Sequence, residues 1–108
     1  MKKIGRVMVV DDEENIRDVL SNYLTSLGYD VATAIDGEDA LKKFKRNSYD
    51  LIISDLLMPT IDGLELLKKV RDQDREVIFL MITGYPSIET AVEAIKKGAY
   101  DYITKPFH

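Results

Sequence analysis

At 108 residues, the chain has room for one domain, residues 1–108, and no second core. It is 45% apolar and 31% charged, which fits a folded globular chain rather than a disordered one. A net charge of −4 argues against a nucleic-acid-binding surface, the lack of cysteine removes disulfides and thiolate chemistry, and a lone histidine, His108, leaves zinc without its usual ligands. No run approaches the roughly 18 apolar residues of a membrane span. The basic stretch Met1–Arg6 leads through Val7–Val10 straight into acid, so no signal peptide is expected and the expected location is cytoplasmic.

The first apolar run, residues 6–10, ends in Asp11-Asp12. Ile16, Val19, Leu20, Tyr23, Leu24 and Leu27 then keep three-and-four spacing, which predicts a helix over 14–27 stopped by Gly28. Tyr29–Ala34 is weaker and more polar, as an edge strand should be. Asp36 precedes a second helix, with Glu38 and Asp39 in its first turn and Lys42, Lys43, Lys45 and Arg46 toward its end, a polarity that complements the helix dipole. The run 50–54 is followed by Asp55, and Leu64, Leu67 and Val70 mark a third helix after Gly63. Residues 77–82 form another apolar run, followed by Thr83. Ser87 caps a fourth helix with Ile88, Ala91, Val92 and Ile95 on one face and Gly98 at its end. Tyr100–Ile103 reads as a second edge strand, and Lys105 follows it.

Near-continuous apolar strands alternating with amphipathic helices predict a parallel sheet covered on both faces, an α/β doubly wound fold. In the flavodoxin-like form, five strands run in the order 2-1-3-4-5, and ligands bind at the carboxyl ends beside the switch point between the first and third strands. Asp11, Asp12 and Asp55 end those two strands, with Thr83 and Lys105 ending the next two. Each has an ordinary reading alone: Asp11-Asp12-Glu13-Glu14 as a helix N-terminus, Asp55 as a cap before Pro59, Thr83 as a capping hydroxyl, Lys105 as a solvated lysine. Convergence changes the balance, because two unit charges ~4 Å apart repel by about 4 kcal/mol at an effective dielectric of 20. Three carboxylates at one edge call for a cation, and Mg²⁺ suits an oxygen shell completed by phosphate. One carboxylate can then act as a nucleophile toward phosphorus, with Lys105 balancing the moving group's charge and Thr83 donating a hydrogen bond to it.

The stretches Val9-Val10-Asp11-Asp12-Glu13, Asp55-Leu56-Leu57-Met58-Pro59 with Asp62-Gly63, Thr83-Gly84, and Gly98 through Phe107 resemble the receiver domain of two-component response regulators along the whole chain. The segment from Thr83 to Phe107 looks most like receivers of nitrogen-regulation-type AAA+ activators. The resemblance implies a phosphorylation-dependent signalling switch, not a metabolic enzyme. Asp55 would be the phosphoacceptor, with Asp11, Asp12, Asp55 and the backbone carbonyl of Leu57 around Mg²⁺. Lys105 would pair with the phosphoryl group, and the Lys105-Pro106 peptide would be cis. The donor would be a phosphohistidine on a sensor histidine kinase or phosphotransfer protein, or a small acyl phosphate. Thr83 and Tyr102 would form the switch that reshapes the fourth helix and fifth strand to control an output domain or partner. Tyr102 alone reads as an edge-strand aromatic half packed on the core. Apolar Leu57 with bulky Tyr85 is expected to slow self-hydrolysis.

The chain departs from that family in one respect. Receivers continue into a fifth helix beside the first, and this chain stops at His108. Part of one sheet face should therefore lack cover, which predicts association or exchange between copies. Among other functions, a haloacid-dehalogenase-type phosphatase needs an acid where Leu57 stands, and Asp11-Asp12-Glu13-Glu14 would repel a flavin phosphate. No G-x-G-x-x-G follows a strand. A receiver-like docking module that never turns over phosphate remains the alternative; its usual mark is loss of an acid or the lysine, and all are present here.

Overall fold

A computed structural model describes residues 5–105. The elements follow in strict alternation: β1 (Arg6–Val10), α1 (Glu14–Ser26), β2 (Asp30–Ala34), α2 (Gly37–Arg46), β3 (Leu51–Asp55), α3 (Gly63–Gln73), β4 (Ile78–Thr83), α4 (Ile88–Lys96) and β5 (Asp101–Thr104). The five strands form one parallel sheet in the order β2-β1-β3-β4-β5, as the pattern predicts. The buried runs of β1, β3 and β4 take the middle, and the more polar β2 and β5 take the edges.

The two-residue period of a strand divides the core between the sheet faces. Met8, Val10, Ile52, Phe79 and Met81 point to one side, where Ala40 and Phe44 of α2, Leu66, Leu67 and Val70 of α3, and Ala94 of α4 cover them. Val7, Val9, Ile53 and Ile82 point to the other, covered only partly by Ile16, Leu20 and Leu24 of α1. Among the described residues, three helices share the first face and one the second. The thin cover shows in α1 itself, which has no fully buried residue; Val19, Tyr23 and Leu27 of its apolar stripe are 60%, 62% and 47% exposed.

In α4 the apolar stripe lies mostly on the outer side of the helix. Its one buried residue is Ala94, while Ile88, Val92 and Ile95 stand 83%, 46% and 51% exposed. Helical spacing marks a stripe without saying which side meets the sheet, and here the small alanine makes the close contact.

The caps follow the expected chemistry. Asp36 accepts a hydrogen bond from Asp39 N, Asp62 from Glu65 N, and Ser87 from Thr90 N. Gly63 is required by crowding, because a Cβ there would lie 2.5 Å from Asp55 O and 2.6 Å from Met81 Sδ. That close approach lets Gly63 N donate to Leu56 O at 2.8 Å and folds the segment after β3 back over the sheet edge. The expected cis bond involves Pro106, which lies outside the described residues. Among the described residues, no helix is long and apolar enough to cross a membrane.

Candidate functional site

Register builds the site. Val10 pairs with Ser54 in the β1–β3 ladder, so Asp11 and Asp55 emerge side by side one residue later. Asp55 pairs with Ile82, and Thr83 with Thr104, which carries Thr83 and Lys105 to the same edge. Lys105 N donates to Thr83 O at 2.7 Å, fixing the lysine's backbone at the end of β4.

The structure brings Asp11, Asp12 and Asp55 together, each offering a carboxylate oxygen within 4.8 Å of the others. Asp11, Asp55 and Thr83 are buried, whereas Asp12 is exposed. Lys105 Nζ reaches in to 2.9 Å from Asp11 Oδ2 and 3.5 Å from Asp55 Oδ1. The aspartates do not cap α1: its N-cap is Glu13, which makes no side-chain cap bond, and Asp11 Oδ1 instead accepts from Glu13 N at 2.9 Å.

Two residues without an assigned role in the sequence reading belong here. Glu13 Oε1 lies 3.4 Å from Lys105 Nζ and competes for it. Arg17 Nη1 donates to Asp11 O at 2.8 Å and ties the β1–α1 turn to the helix. Their signal was faint: Glu13 merely continues an acidic run, and Arg17 is one cation beside an apolar stripe.

Among the described residues the site is short of positive charge, with the carboxylates of Asp11, Asp12, Asp55 and Glu13 around the one ammonium of Lys105. Burial first, then the charge of Asp11, pushes the Asp55 carboxyl up to about 6 from an ordinary 3.8; Lys105 offsets this and Asp12 adds to it. Burial works against the charged form of Lys105, but its close contact with Asp11 and the charges of Asp55, Asp11 and Glu13 outweigh that and raise its pKa. Among the described residues, buried Asp11 Oδ2 has no partner beyond its 2.9 Å ion pair with Lys105 Nζ. A buried, under-satisfied carboxylate oxygen beside two more carboxylates suits a hard divalent cation, so the residues present fit Mg²⁺.

Around this cluster, Thr83 Oγ1 accepts from Tyr85 N at 3.0 Å. Tyr102 is half-buried against the larger core, as its position on an edge strand suggested. Its Oη lies 2.7 Å from Thr90 Oγ1 and accepts from Ser87 N at 3.3 Å. Leu57 and Tyr85 are 50% and 77% exposed.

A sequence model of the family described as "Response regulator receiver domain" matches residues 7–108. The chain is 38% identical over 107 residues to the regulatory protein AtoC of Escherichia coli K12, covering 99% of this chain and 23% of that protein. The curated relatives are longer, this chain spanning 23% to 42% of AtoC and two others. Among solved structures, chemotaxis protein CheY4 of Vibrio cholerae superposes with a TM-score of 0.90 at 40% identity, over 95% of this chain and 88% of that one. The beryllofluoride-activated NtrC4 receiver domain dimer gives 0.90 at 42% identity, over 95% and 85%. AtoC and NtrC4 are relatives of the nitrogen-regulation type expected from the Thr83–Phe107 segment. With a matched profile over nearly its whole length and the strand order 2-1-3-4-5, the chain belongs to the receiver domain family of two-component response regulators.

Proposed function

We propose that residues 1–108 form one phosphoacceptor unit, in which Asp55 takes a phosphoryl group from a phosphohistidine on a sensor histidine kinase or phosphotransfer protein. The observation that carries this reading is the meeting of Asp11, Asp12, Asp55 and Lys105 at one sheet edge. An Asp55 carboxylate oxygen attacks phosphorus as the P–N bond breaks; the electron pair leaves on the imidazole nitrogen, which is protonated from solvent. Lys105 exchanges its contact with Asp55 for one with a phosphoryl oxygen, and the Thr83 hydroxyl donates to another. Asp11, Asp12, Asp55 and the Leu57 carbonyl would hold Mg²⁺, which when bound neutralises the acidic cluster and lets the phosphoryl group approach. Hydrolysis of the acyl phosphate returns inorganic phosphate and the free carboxylate, so the unit resets itself slowly without being a metabolic enzyme.

The added charge biases Thr83, Tyr102 and α4 toward a second arrangement that controls an output domain or partner. Apolar Leu57 and bulky Tyr85 stand beside the route of the hydrolytic water; Leu57→Asn is expected to shorten the phosphoryl half-life, and an unchanged half-life would count against that role. The direct test incubates the chain with Mg²⁺ and acetyl phosphate. The expected result is a mass gain of one phosphoryl group on Asp55, absent in Asp55→Asn and after chelation. Equal labelling of Asp55→Asn would refute the assignment.

A further inference from the structure

Packing alone does not explain what holds α4 in place, since one alanine is its buried anchor and its apolar stripe faces solvent. Polar contacts hold both ends. We infer that Thr90 is a positioning residue that ties the side-chain state of Tyr102 to the N-cap of α4, while Arg71 fixes the opposite end of the helix. The inference rests on the phosphoacceptor reading and adds to it a residue with no part in that chemistry.

At the N-terminal end, three polar side chains and two backbone amides share a small network. Ser87 Oγ accepts from Thr90 N at 3.1 Å and lies 2.8 Å from Thr90 Oγ1. Thr90 Oγ1 lies 2.7 Å from Tyr102 Oη, which also accepts from Ser87 N at 3.3 Å. The first amides of a helix lack intrahelical partners, and the phenol oxygen supplies an acceptor to the cap residue itself. If Tyr102 turns away, Ser87 N loses that acceptor and the Thr90 hydroxyl loses a partner. Movement of the ring therefore loosens the first turn of α4.

The far end is fastened differently. Arg71 of α3 donates through Nε and Nη2 to Gly98 O at 3.2 and 2.8 Å, and through Nη1 to Asp74 O at 3.2 Å. One guanidinium thus binds carbonyls beyond the ends of both α3 and α4, where the helix dipoles favour a cation. Gly98, at φ 106°, leaves it room: a Cβ there would lie 2.8 Å from Arg71 Nε. With this end fixed, a displacement of α4 is confined to its first turns, next to Thr83 and Tyr102.

The test follows backbone amide resonances of isotope-labelled chain with and without Mg²⁺ and beryllofluoride. Thr90→Val keeps the branched shape and removes the hydroxyl, whereas Thr90→Ser keeps the hydroxyl. In Thr90→Val without ligand, the amides of residues 87–91 are expected to lie displaced toward their beryllofluoride-bound positions, as for about a fivefold rise in the activated fraction, the worth of one neutral hydrogen bond. Thr90→Ser should match wild type, and amides near Arg71 and Gly98 should not move. Tyr102→Phe, which also removes the acceptor of Ser87 N, should give at least the same displacement, and the Thr90→Val/Tyr102→Phe double variant should shift no further than Tyr102→Phe alone. The inference is overturned if beryllofluoride moves the wild-type helix while Thr90→Val starts from the wild-type position, or if Thr90→Ser is displaced equally. Beryllofluoride that leaves the amides around Asp55 unmoved in wild type would remove the phosphoacceptor reading itself, and this coupling with it.

Discussion

Asp55 is held in a state that the fold alone disfavours. Its carboxyl is raised to about 6 from 3.8, by burial and then by Asp11, so the folded chain holds this proton to a higher pH than the unfolded chain does. The protonated form binds its proton more tightly in the folded than in the unfolded chain. This contribution to stability is therefore fully present below the ordinary value near 3.8 and is lost as pH rises through about 6. At roughly 1.4 kcal/mol per pH unit the cost near neutrality is on the order of 1 to 3 kcal/mol, the lower part allowing for water in the cleft. In metal-free protein, Asp55→Asn should therefore raise the urea midpoint at about pH 7.5, with a smaller gain at about pH 5. Saturating Mg²⁺ should narrow the difference by stabilising wild type. An asparagine variant no more stable than wild type at the higher pH, with chelator present, would contradict this account.

The convergence of Asp11, Asp12, Asp55, Thr83 and Lys105 was legible because each residue directly follows or ends an apolar run, and a parallel sheet collects such positions at one edge. What was not legible is the division of Lys105 among its acidic neighbours. It sits closer to Asp11 than to Asp55, and Glu13 takes a share. That depends on side-chain rotamers and tenths of an ångström, which spacing along a chain does not encode.

Among elements, type and order were readable throughout, and boundaries moved by about a residue. The apolar run 50–54 became Leu51–Asp55, taking Asp55 into the strand, and 77–82 became Ile78–Thr83. Caps were readable because they are local: Asp36 and Ser87 bond to amides three residues on, whatever the rest of the chain does. Helix orientation was less so. In α4, spacing groups the large apolar residues on one face without saying which way it points; a face is defined by its partner, and Ala94 admits a closer approach to the sheet than Ile88 or Val92 would. This arrangement leaves α4 lightly packed, a property expected of an element that moves. Its polar fastenings, Tyr102 with Thr90 and Arg71 with Gly98, link residues 12 and 27 positions apart, beyond the reach of any local pattern.

On the scale of the whole molecule, the two sheet faces are unequal. The face bearing α2, α3 and α4 is closed by large side chains, while beside α1 an apolar groove of about 480 Å³ runs between Val19, Leu20 and Tyr23 on the helix and Ile53, Leu80, Ile82 and Ile103 on the sheet. Apolar surface of this kind is costly in water, at ~25 cal/mol for each Å² left uncovered. Among the described residues none closes this groove, and in a solution of the pure chain another copy offers apolar surface to cover it. The 108-residue chain is therefore expected to self-associate as its concentration rises, with its sedimentation coefficient increasing across a dilution series. Val19 and Tyr23 already stand 60% and 62% exposed at the rim, so Val19→Glu with Tyr23→Glu can carry charge without unfolding the core. That pair should hold the chain monomeric while leaving the acidic cleft, built by the strand ends and not by this face, able to bind divalent cations. A wild-type chain that stays monomeric at high concentration would show that the groove closes without a second copy. Association unaffected by the two glutamates would place the contact elsewhere, with the outward stripe of α4 the next surface to test.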